Sequence, residues 1–491
     1  MRQPISGSVR AAAQAIEAAL QRTASTVSKG YRSTGAGLRT AAGRLHAADT
    51  RAALKIGGVA VTGGVLLSLH GDEEKEYEKP PRTGTAEDAV RVNKWWNSLT
   101  STEQQEILAE DPARIGNLNG IPVAVRSAAN ERVMNADIRR VEDMAKAKGM
   151  SVDAIEKDPK KYGLTADDIT RYHNAINVRA GLKAYSGPNK ADPGRHPPSP
   201  YPTYLYVYQP LAFGGKGRAA ISIGDPDTAP NTAVVVPGAS QSVRASDGSD
   251  KGWFAVQGEQ AQNLYVESNR ADPDHPTAVV AWMGYDSPTD GITAVLSGDP
   301  TAERKGGNLL AEDVDGLWAT HQGPSHLTVV GYSAGAIVAA DAAAASQLHA
   351  NDVVLLGPVS TDEARSAADF HLDRGQVYVG KASNDLNAYA GHAWLGGPDP
   401  IGPEFGATRI KAEAPESYSS PIDYSGQAHL HYFTAGSESL YAAALIASGN
   451  ADRLGPDNML AEHKEVIPLW PDDDPEEDRT GIQDNHYHRS Q

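Results

Sequence analysis

The pattern with the clearest chemical meaning is Gly-Tyr-Ser-Ala-Gly at residues 331–335, which matches G-x-S-x-G. The apolar residues 327–330 before it predict a buried strand, and the small helix-forming residues 336–345 after it predict a helix. A serine on a sharp turn between a strand and a helix presents its hydroxyl at the edge of a sheet, where it can attack a carbonyl carbon. The pattern therefore predicts that Ser333 is a nucleophile.

A serine hydroxyl is a weak nucleophile near neutral pH, so it needs a histidine to take its proton and a carboxylate to orient that histidine. In a strand-turn-helix arrangement of this kind the acid follows the serine in the chain, and the histidine comes last. Asp385 lies five residues beyond the predicted strand 376–380, where the acid is expected. Asp362 and Asp399 remain alternatives for this role.

Two histidines, His429 and His431, lie just before the predicted closing helix 436–448 and follow every acid candidate. Their spacing puts both side chains on the same side of an extended segment, so the residue pattern alone leaves both open. His371 precedes Asp385, and His392 follows it by only seven residues. The base is therefore predicted at position 429 or 431.

A tetrahedral oxyanion also needs two amide donors. The amide of Ala334 begins the helix after Ser333, where the helix dipole favours negative charge. A second donor is expected from the loop that follows the third strand. Here that loop is 237–241, directly after the predicted strand 233–236, and Gly238 lets the backbone approach the substrate closely. The amide of Ala239 is the predicted second donor.

Composition narrows the function classes. The chain has 491 residues, enough for two or three domains, and a formal charge of −17, which argues against a nucleic-acid binder because phosphate contacts need clustered cations. It contains no cysteine, so disulfides, thiolate nucleophiles and cysteine-bound zinc are excluded. We predict no cofactor and no metal.

Residues 1–70 form a predicted helical N-terminal segment, followed by a linker at 71–84. Residues 8–50 are compatible with two amphipathic helices, and residues 1–60 carry nine Lys or Arg against two acidic residues. The uncharged stretch 56–69 has 14 residues, fewer than the ~20 that span a bilayer, so a buried helix is favoured over membrane contact. A secretory signal peptide is not indicated.

Residues 85–200 are predicted to be a helical extension that ends in a proline-rich boundary loop. Thr100 or Ser101 can cap a helix with Glu103 in its first turn, and residues 151–183 are predicted to continue as helix. Trp95 and Trp96 are interpreted as packing residues.

Alternating strands and helices fill residues 201–467, the predicted catalytic domain. The first three strands, at 204–208, 218–223 and 233–236, have the spacing of a meander, and repeated βα units then predict a mostly parallel sheet covered on both faces. The acidic tail 468–491 is predicted to be disordered. His486 and His488 in this tail lack a supporting ligand set, so no metal site is predicted there.

Several motifs together resemble an actinobacterial α/β-hydrolase family long catalogued as a domain of unknown function, whose members are described as serine esterases or lipases. The likeness covers roughly residues 94–136 and 203–449. The matching stretches are Trp95-Trp96-x-x-Leu99, 115–122, 125–130, Pro237-Gly238, 282–286, 327–333, 382–385, 405–407 and 436–440.

This resemblance implies an α/β-hydrolase fold with Ser333 as nucleophile and Asp385 as acid. It also favours His429 over His431, because the family pattern sets a histidine three residues before the tyrosine of a tyrosine-aromatic pair, here Tyr432-Phe433. Tyr332 stands where relatives commonly have histidine. We expect that position to face away from the nucleophile's task.

The resulting hypothesis is a serine hydrolase that cleaves carboxylic esters, lipid esters among them, through an acyl-enzyme on Ser333. The alternative is a secreted toxin, effector or adaptor that uses the hydrolase fold as a binding scaffold. Relatives often carry helical N-terminal segments like those of type VII secretion substrates, so a membrane surface or secretion machinery is an expected partner of the N-terminal helices. The sequence leaves open whether the chain is cytoplasmic or exported without a cleavable signal peptide.

Overall fold

The computed structural model describes residues 86–187, 200–244, 252, 254, 259–288, 299–346, 348–372, 375–383, 385, 387–388, 397–413 and 428–461. The predictions for residues 1–70, for the linker 71–84 and for the tail 468–491 lie outside these ranges. Among the residues that are described, no helix is both long and apolar enough to cross a bilayer.

The first part of the described chain is helical, as the sequence predicts. Its helices are α1 (Ala86–Ser98), α2 (Ser101–Glu110), α3 (Pro112–Ile115), α4 (Val123–Lys148), α5 (Val152–Glu156) and α6 (Ala166–Ser186). Thr100 caps α2 in a capping box with Glu103. Trp95 and Trp96 are buried among apolar residues of α1, α3 and the following turn, in agreement with a packing role.

The prediction of one continuous helix over residues 151–183 is wrong. The chain forms α5, a 3-10 turn at Pro159–Tyr162 and then α6. Pro159 has no amide hydrogen to continue a helix, and Gly163 adopts a left-handed φ of 75° that ends the turn. Thr165 then caps α6 afresh.

Buried polar side chains join this helical part to the sheet. Asn130 donates hydrogen bonds to the main-chain oxygens of Gly116 and Leu205, at 2.7 and 3.0 Å. The guanidinium of Arg126 lies 3.8 Å from the ring centroid of Tyr206, and its Nε donates to Gly116. The helices are therefore packed on the sheet as part of one compact unit.

The second part of the described chain contains an eight-stranded, mostly parallel sheet with helices packed on it, which confirms the predicted fold class. The strands are β1 (Thr203–Gln209), β2 (Arg218–Ile223), β3 (Asn231–Val236), β4 (Thr277–Met283), β5 (His326–Tyr332), β6 (Asp352–Leu356), β7 (Val377–Gly380) and β8 (Thr408–Arg409). The helices are α7 (Glu259–Ala271), α8 (Thr301–Thr320), α9 (Ala334–Ser346) and α10 (Glu438–Ala447).

The strand order is β1-β2-β4-β3-β5-β6-β7-β8, with β1, β2 and β4 pairing antiparallel and the other pairs parallel. The predicted meander of the first three strands is therefore wrong, because β4 lies between β2 and β3. Every residue of β3 is buried, and the strand has a parallel partner on each side, as expected for a strand at the centre of a covered sheet. Strand spacing along the chain does not specify which strands pair.

The complete burial of β3, β4 and β6 shows that the centre of the sheet is covered on both faces. Helix α9 packs closely against α8, because a Cβ atom at Gly307 would lie 2.8 Å from the main-chain nitrogen of Ala342. Parallel strands β3, β5, β6 and β7 end at the same edge, so the loops that follow them converge there.

Candidate active site

Ser333 lies on a strained turn between β5 and α9. Its φ angle is 55°, in the left-handed region that side chains rarely adopt. The flanking glycines are sterically required: a Cβ at Gly331 would lie 2.6 Å from the carbonyl oxygen of Gly335, and one at Gly335 would collide with the main chain of Val236. The strand, turn and helix predicted around residues 331–335 are thus present, with the geometry of a nucleophile elbow.

The structure brings Ser333, His429 and Asp385 together in one hydrogen-bonded chain. The Nε2 atom of His429 lies 2.8 Å from the Oγ of Ser333, and its Nδ1 lies 2.7 Å from the Oδ2 of Asp385. Asp385 follows β7, and His429 lies in a 3-10 turn at Ala428–Leu430. This arrangement can move a proton from the serine hydroxyl to the imidazole while the carboxylate fixes the ring.

Asp385 is fully buried yet ionised. Burial by itself would raise the pKa of this carboxyl group, but the charge and hydrogen bond of His429 outweigh it, together with hydrogen bonds from Ala388 and Tyr432. The pKa of Asp385 therefore lies below the ordinary value of an aspartate. An ionised Asp385 can only accept hydrogen bonds, which holds the Nδ1 proton of His429 on the side away from Ser333.

Of the other histidines considered from the sequence, two lie in the described part of the chain. His431 makes a hydrogen bond through Nδ1 to the Oγ1 of Thr434, at 2.9 Å, and burial lowers its pKa. His371 ends a 3-10 turn at Ala367–Phe370. His392 lies outside the described residues.

The alternative acids also have other partners. Both carboxylate oxygens of Asp362 accept hydrogen bonds from Arg304, at 2.6 and 3.0 Å. Asp399 lies 3.6 Å from the Nζ atom of Lys381. Among the three aspartates that the sequence proposed, Asp385 is thus the one that contacts His429.

The predicted oxyanion loop adjoins Ser333. A Cβ at Gly238 would lie 2.9 Å from the Cβ of Ser333 and 3.4 Å from its Oγ, so only glycine allows this approach. Ala239 follows directly on the same loop. Ala334 is the first residue of α9, where an amide has no acceptor within the helix. The amide of Ala334 therefore follows the serine directly, and the amide of Ala239 follows Gly238, which lies against the serine.

A tyrosine that the sequence did not indicate, Tyr285, braces this loop. The buried hydroxyl of Tyr285 lies within hydrogen-bond distance of the main-chain oxygens of Pro237 and Gly238, at 3.0 and 2.9 Å. The hydroxyl of Ser287 donates to Gly238 as well, at 3.2 Å. Tyr285 lies in one of the motifs used for the resemblance, residues 282–286, but its local sequence carries no sign of this contact.

We expect Tyr285→Phe to lower kcat about tenfold with little change in KM. Without the hydroxyl, the carbonyl group at 237 loses this donor and the one at 238 keeps only Ser287, so the amide of Ala239 is held less firmly where negative charge develops. Steady-state hydrolysis of a p-nitrophenyl ester measures both constants. Tyr185→Phe is the matched control, because the Tyr185 hydroxyl is buried without a hydrogen-bond partner. A Tyr285→Phe enzyme with wild-type kcat would contradict the bracing role.

The expectation that Tyr332 faces away from the nucleophile's task is wrong. Its hydroxyl donates a hydrogen bond to the main-chain oxygen of His429 at 2.5 Å. The ring centroids of Tyr332 and His429 lie 5.3 Å apart. Tyr332 is the last residue of β5, and its hydrogen bond to residue 429 supports the segment that carries the histidine.

A small apolar cluster lies beside the serine. It consists of Ala334, Ile337 and Val359, with Ala239 packed against it. Leu430, next to His429, is 54% exposed. In the described part of the chain, no group of three or more His, Asp or Glu side chains is arranged to hold a metal ion.

Comparison with known proteins agrees with this architecture. Residues 214–394 match the family model described as alpha/beta hydrolase. The uncharacterized protein Rv2079 of Mycobacterium tuberculosis is 47% identical over 412 residues, which are 79% of this chain and 59% of that protein. The chain thus spans about three fifths of the length of this relative. The uncharacterized protein Rv0963c of the same species is 28% identical over 44% of this chain and 76% of its own length.

A solved structure with partial similarity is the hyperthermophilic esterase from the archaeon Pyrobaculum calidifontis. It is 12% identical, with a TM-score of 0.31 over 60% of this chain and 95% of the esterase. That overall similarity is too low to support any statement about activity.

Proposed function

We propose, from the match of residues 214–394 to the alpha/beta hydrolase family model, that this chain is a serine hydrolase that cleaves carboxylic esters through an acyl-enzyme on Ser333. One observation carries the proposal: the serine, the histidine and the buried carboxylate form a continuous hydrogen-bonded chain with distances of 2.8 and 2.7 Å. A buried serine on a strained turn, paired with an oriented imidazole, has the arrangement that acyl transfer requires.

In this mechanism His429 takes the proton of Ser333 as the serine oxygen attacks the ester carbonyl carbon. The amides of Ala239 and Ala334 hold the negative oxygen of the tetrahedral intermediate. His429 then gives its proton to the departing alkoxide, which leaves as the alcohol. A water molecule, deprotonated by His429, attacks the acyl-enzyme, and collapse of the second intermediate releases the carboxylic acid and restores the serine.

Apolar side chains exposed beside the site support an ester with an apolar acyl chain, as in a lipid. Ala239 is partly exposed and packs against the buried residues Ala334, Ile337 and Val359, the first of which follows the nucleophile. Leu430 is exposed beside the histidine, where it can contact a substrate that approaches from solvent. Polar acyl groups would lose their hydration against such side chains without gaining partners. A contact between residues 1–70 and a membrane surface or the secretion machinery remains a proposal.

Reaction with a fluorophosphonate probe tests the nucleophile directly. We expect one covalent adduct per chain, located on Ser333 by mass spectrometry of the peptides. A panel of p-nitrophenyl esters from acetate to palmitate then reports the preferred acyl chain, with longer chains favoured by the apolar cluster. An adduct on another residue would move the nucleophile elsewhere. Absence of any adduct would favour the binding scaffold of a secreted effector or adaptor.

A further inference from the structure

Tyr432 lies against the hydrogen-bonded chain of Ser333, His429 and Asp385, although the mechanism above assigns it no role. Its side chain is fully buried, and its hydroxyl is 2.7 Å from the Oδ2 of Asp385. This is the same carboxylate oxygen that accepts the Nδ1 proton of His429, also at 2.7 Å. Asp385 Oδ2 thus has two partners, one of which is the tyrosine.

The direction of the tyrosine hydrogen bond follows from its other partner. The main-chain amide of Ala382 donates to the Tyr432 hydroxyl oxygen at 2.9 Å, so the hydroxyl's own hydrogen points to another acceptor. Asp385 Oδ2 is that acceptor. Burial, followed by the negative charge of Asp385, raises the pKa of Tyr432 well above its ordinary value, so the tyrosine keeps its proton.

The backbone is shaped to admit this ring. Gly357, directly after β6, has a φ of 53°, and a Cβ there would lie 2.6 Å from Cε2 of Tyr432 and 3.1 Å from Asp385 Oδ2. The main-chain oxygen of Tyr432 accepts a hydrogen bond from the hydroxyl of Ser439 at 2.7 Å. Tyr432 is therefore fixed from both ends in contact with the carboxylate.

We propose that Tyr432 is a positioning residue that holds the Asp385 carboxylate ionised and correctly turned toward His429. The inference rests on the proposed function, because it assigns a purpose to the acid of that reaction. Tyr432 does not touch the substrate or the reacting atoms. It acts through Asp385, as a hydrogen-bond donor in a site where both side chains are buried.

The charged and titratable groups around Asp385 are few in the described structure. His429 and Tyr432 donate to it directly. Lys381 is also near enough to be influenced by its charge, and so is Tyr332. Of the two tyrosines, Tyr332 donates to the main-chain oxygen of His429 rather than to the carboxylate. The two buried hydroxyls therefore have different acceptors and separable effects.

Removal of the hydroxyl in Tyr432→Phe is expected to shift the acid limb of the kcat/KM profile by about one unit to higher pH. The ionised form of Asp385 loses a donor and becomes more basic, so the hydrogen-bonded pair of Asp385 and His429 takes up a proton at a higher pH. We also expect kcat on the plateau to fall about tenfold, because the imidazole is less well oriented. The profile is measured with a p-nitrophenyl ester.

Two further variants separate this role from simple packing. Tyr332→Phe also removes a buried hydroxyl beside His429 but should leave the acid limb in place, since its acceptor is not ionisable. Tyr441→Phe is the distant control: its hydroxyl donates to Asp457 at the same 2.7 Å, and both the acid limb and kcat should stay at wild-type values.

In an Asp385→Asn background, Tyr432→Phe should change kcat less than about twofold, because the carboxylate through which Tyr432 acts is already absent.

A readout independent of turnover keeps this inference distinct from the proposed function. The proton between His429 Nδ1 and Asp385 should give a downfield NMR resonance that is absent in His429→Ala. In Tyr432→Phe the pH at which this resonance disappears should rise. If that pH and the acid limb both match the wild type, the positioning role is overturned. If esters are not cleaved at all but the pH at which the resonance disappears is higher in Tyr432→Phe, the proposed function fails while the positioning role stands.

Discussion

Replacement of Ser333 by alanine should lower kcat for a p-nitrophenyl ester by about a millionfold and leave only the small residual rate that binding and the oxyanion donors support. The substitution removes the oxygen that forms the acyl bond and leaves His429 without its partner at 2.8 Å. KM should change little, since the surrounding apolar cluster and the amide donors remain. Stopped assays at high enzyme concentration, together with loss of fluorophosphonate labelling, provide the measurement.

The matched control for this substitution is Ser222→Ala. Ser222 is also buried, but its hydroxyl donates to the main-chain oxygen of Gly224, within an antiparallel strand far along the chain from the elbow. We expect wild-type kcat and labelling from this variant. A Ser333→Ala protein that keeps more than a trace of labelled adduct or turnover would show that the nucleophile is a different residue.

Local sequence predicted most of the elements that place the serine. Strand β2 was predicted at its observed bounds, and the strand, turn and helix around residues 331–335 were predicted in order. These features depend on nearest neighbours: an apolar run, glycines two residues before and after the serine, and small residues that form a helix. A structural element that depends on about ten consecutive residues can be predicted without knowledge of the fold.

Strand pairing was not predictable in the same way. The sequence placed β3 correctly but could not show that β4, more than 40 residues later, lies between β2 and β3. Pairing is settled by long-range packing, and here by the burial of β3 on both faces. The broken helix at Pro159 is a different kind of error, since the proline and Gly163 were visible signals that a helix should end.

Contacts around the candidate triad show the same limit at the level of single side chains. Local pattern left His429 and His431 equivalent, and in the folded chain one contacts Ser333 while the other contacts Thr434. Tyr332 and Tyr285 contact segments 97 and 47 residues away in sequence. A tyrosine's local sequence does not identify the acceptor of its hydroxyl, so these supporting contacts became visible only in three dimensions.

Substitution of Asp385 by asparagine should lower kcat about ten-thousandfold at neutral pH. The carboxylate now accepts from His429 and Tyr432 on Oδ2 and from the amide of Ala388 on the other oxygen. An asparagine side chain must place its NH₂ group against one of these donors, whichever way it turns. With NH₂ at the Oδ2 position, His429 is driven to the tautomer whose proton faces Ser333, and it cannot accept the serine proton.

Asp362→Asn is the matched control, because this aspartate was an alternative acid in the sequence and is paired with Arg304 in the structure. Its kcat should remain within about twofold of the wild type, since the ion pair is partly exposed and makes no contact with His429. Steady-state kinetics measure kcat for both variants, and thermal unfolding verifies that both are folded. A loss of activity in Asp362→Asn that exceeds the loss in Asp385→Asn would transfer the role of acid, because only the residue that orients the imidazole controls its tautomer.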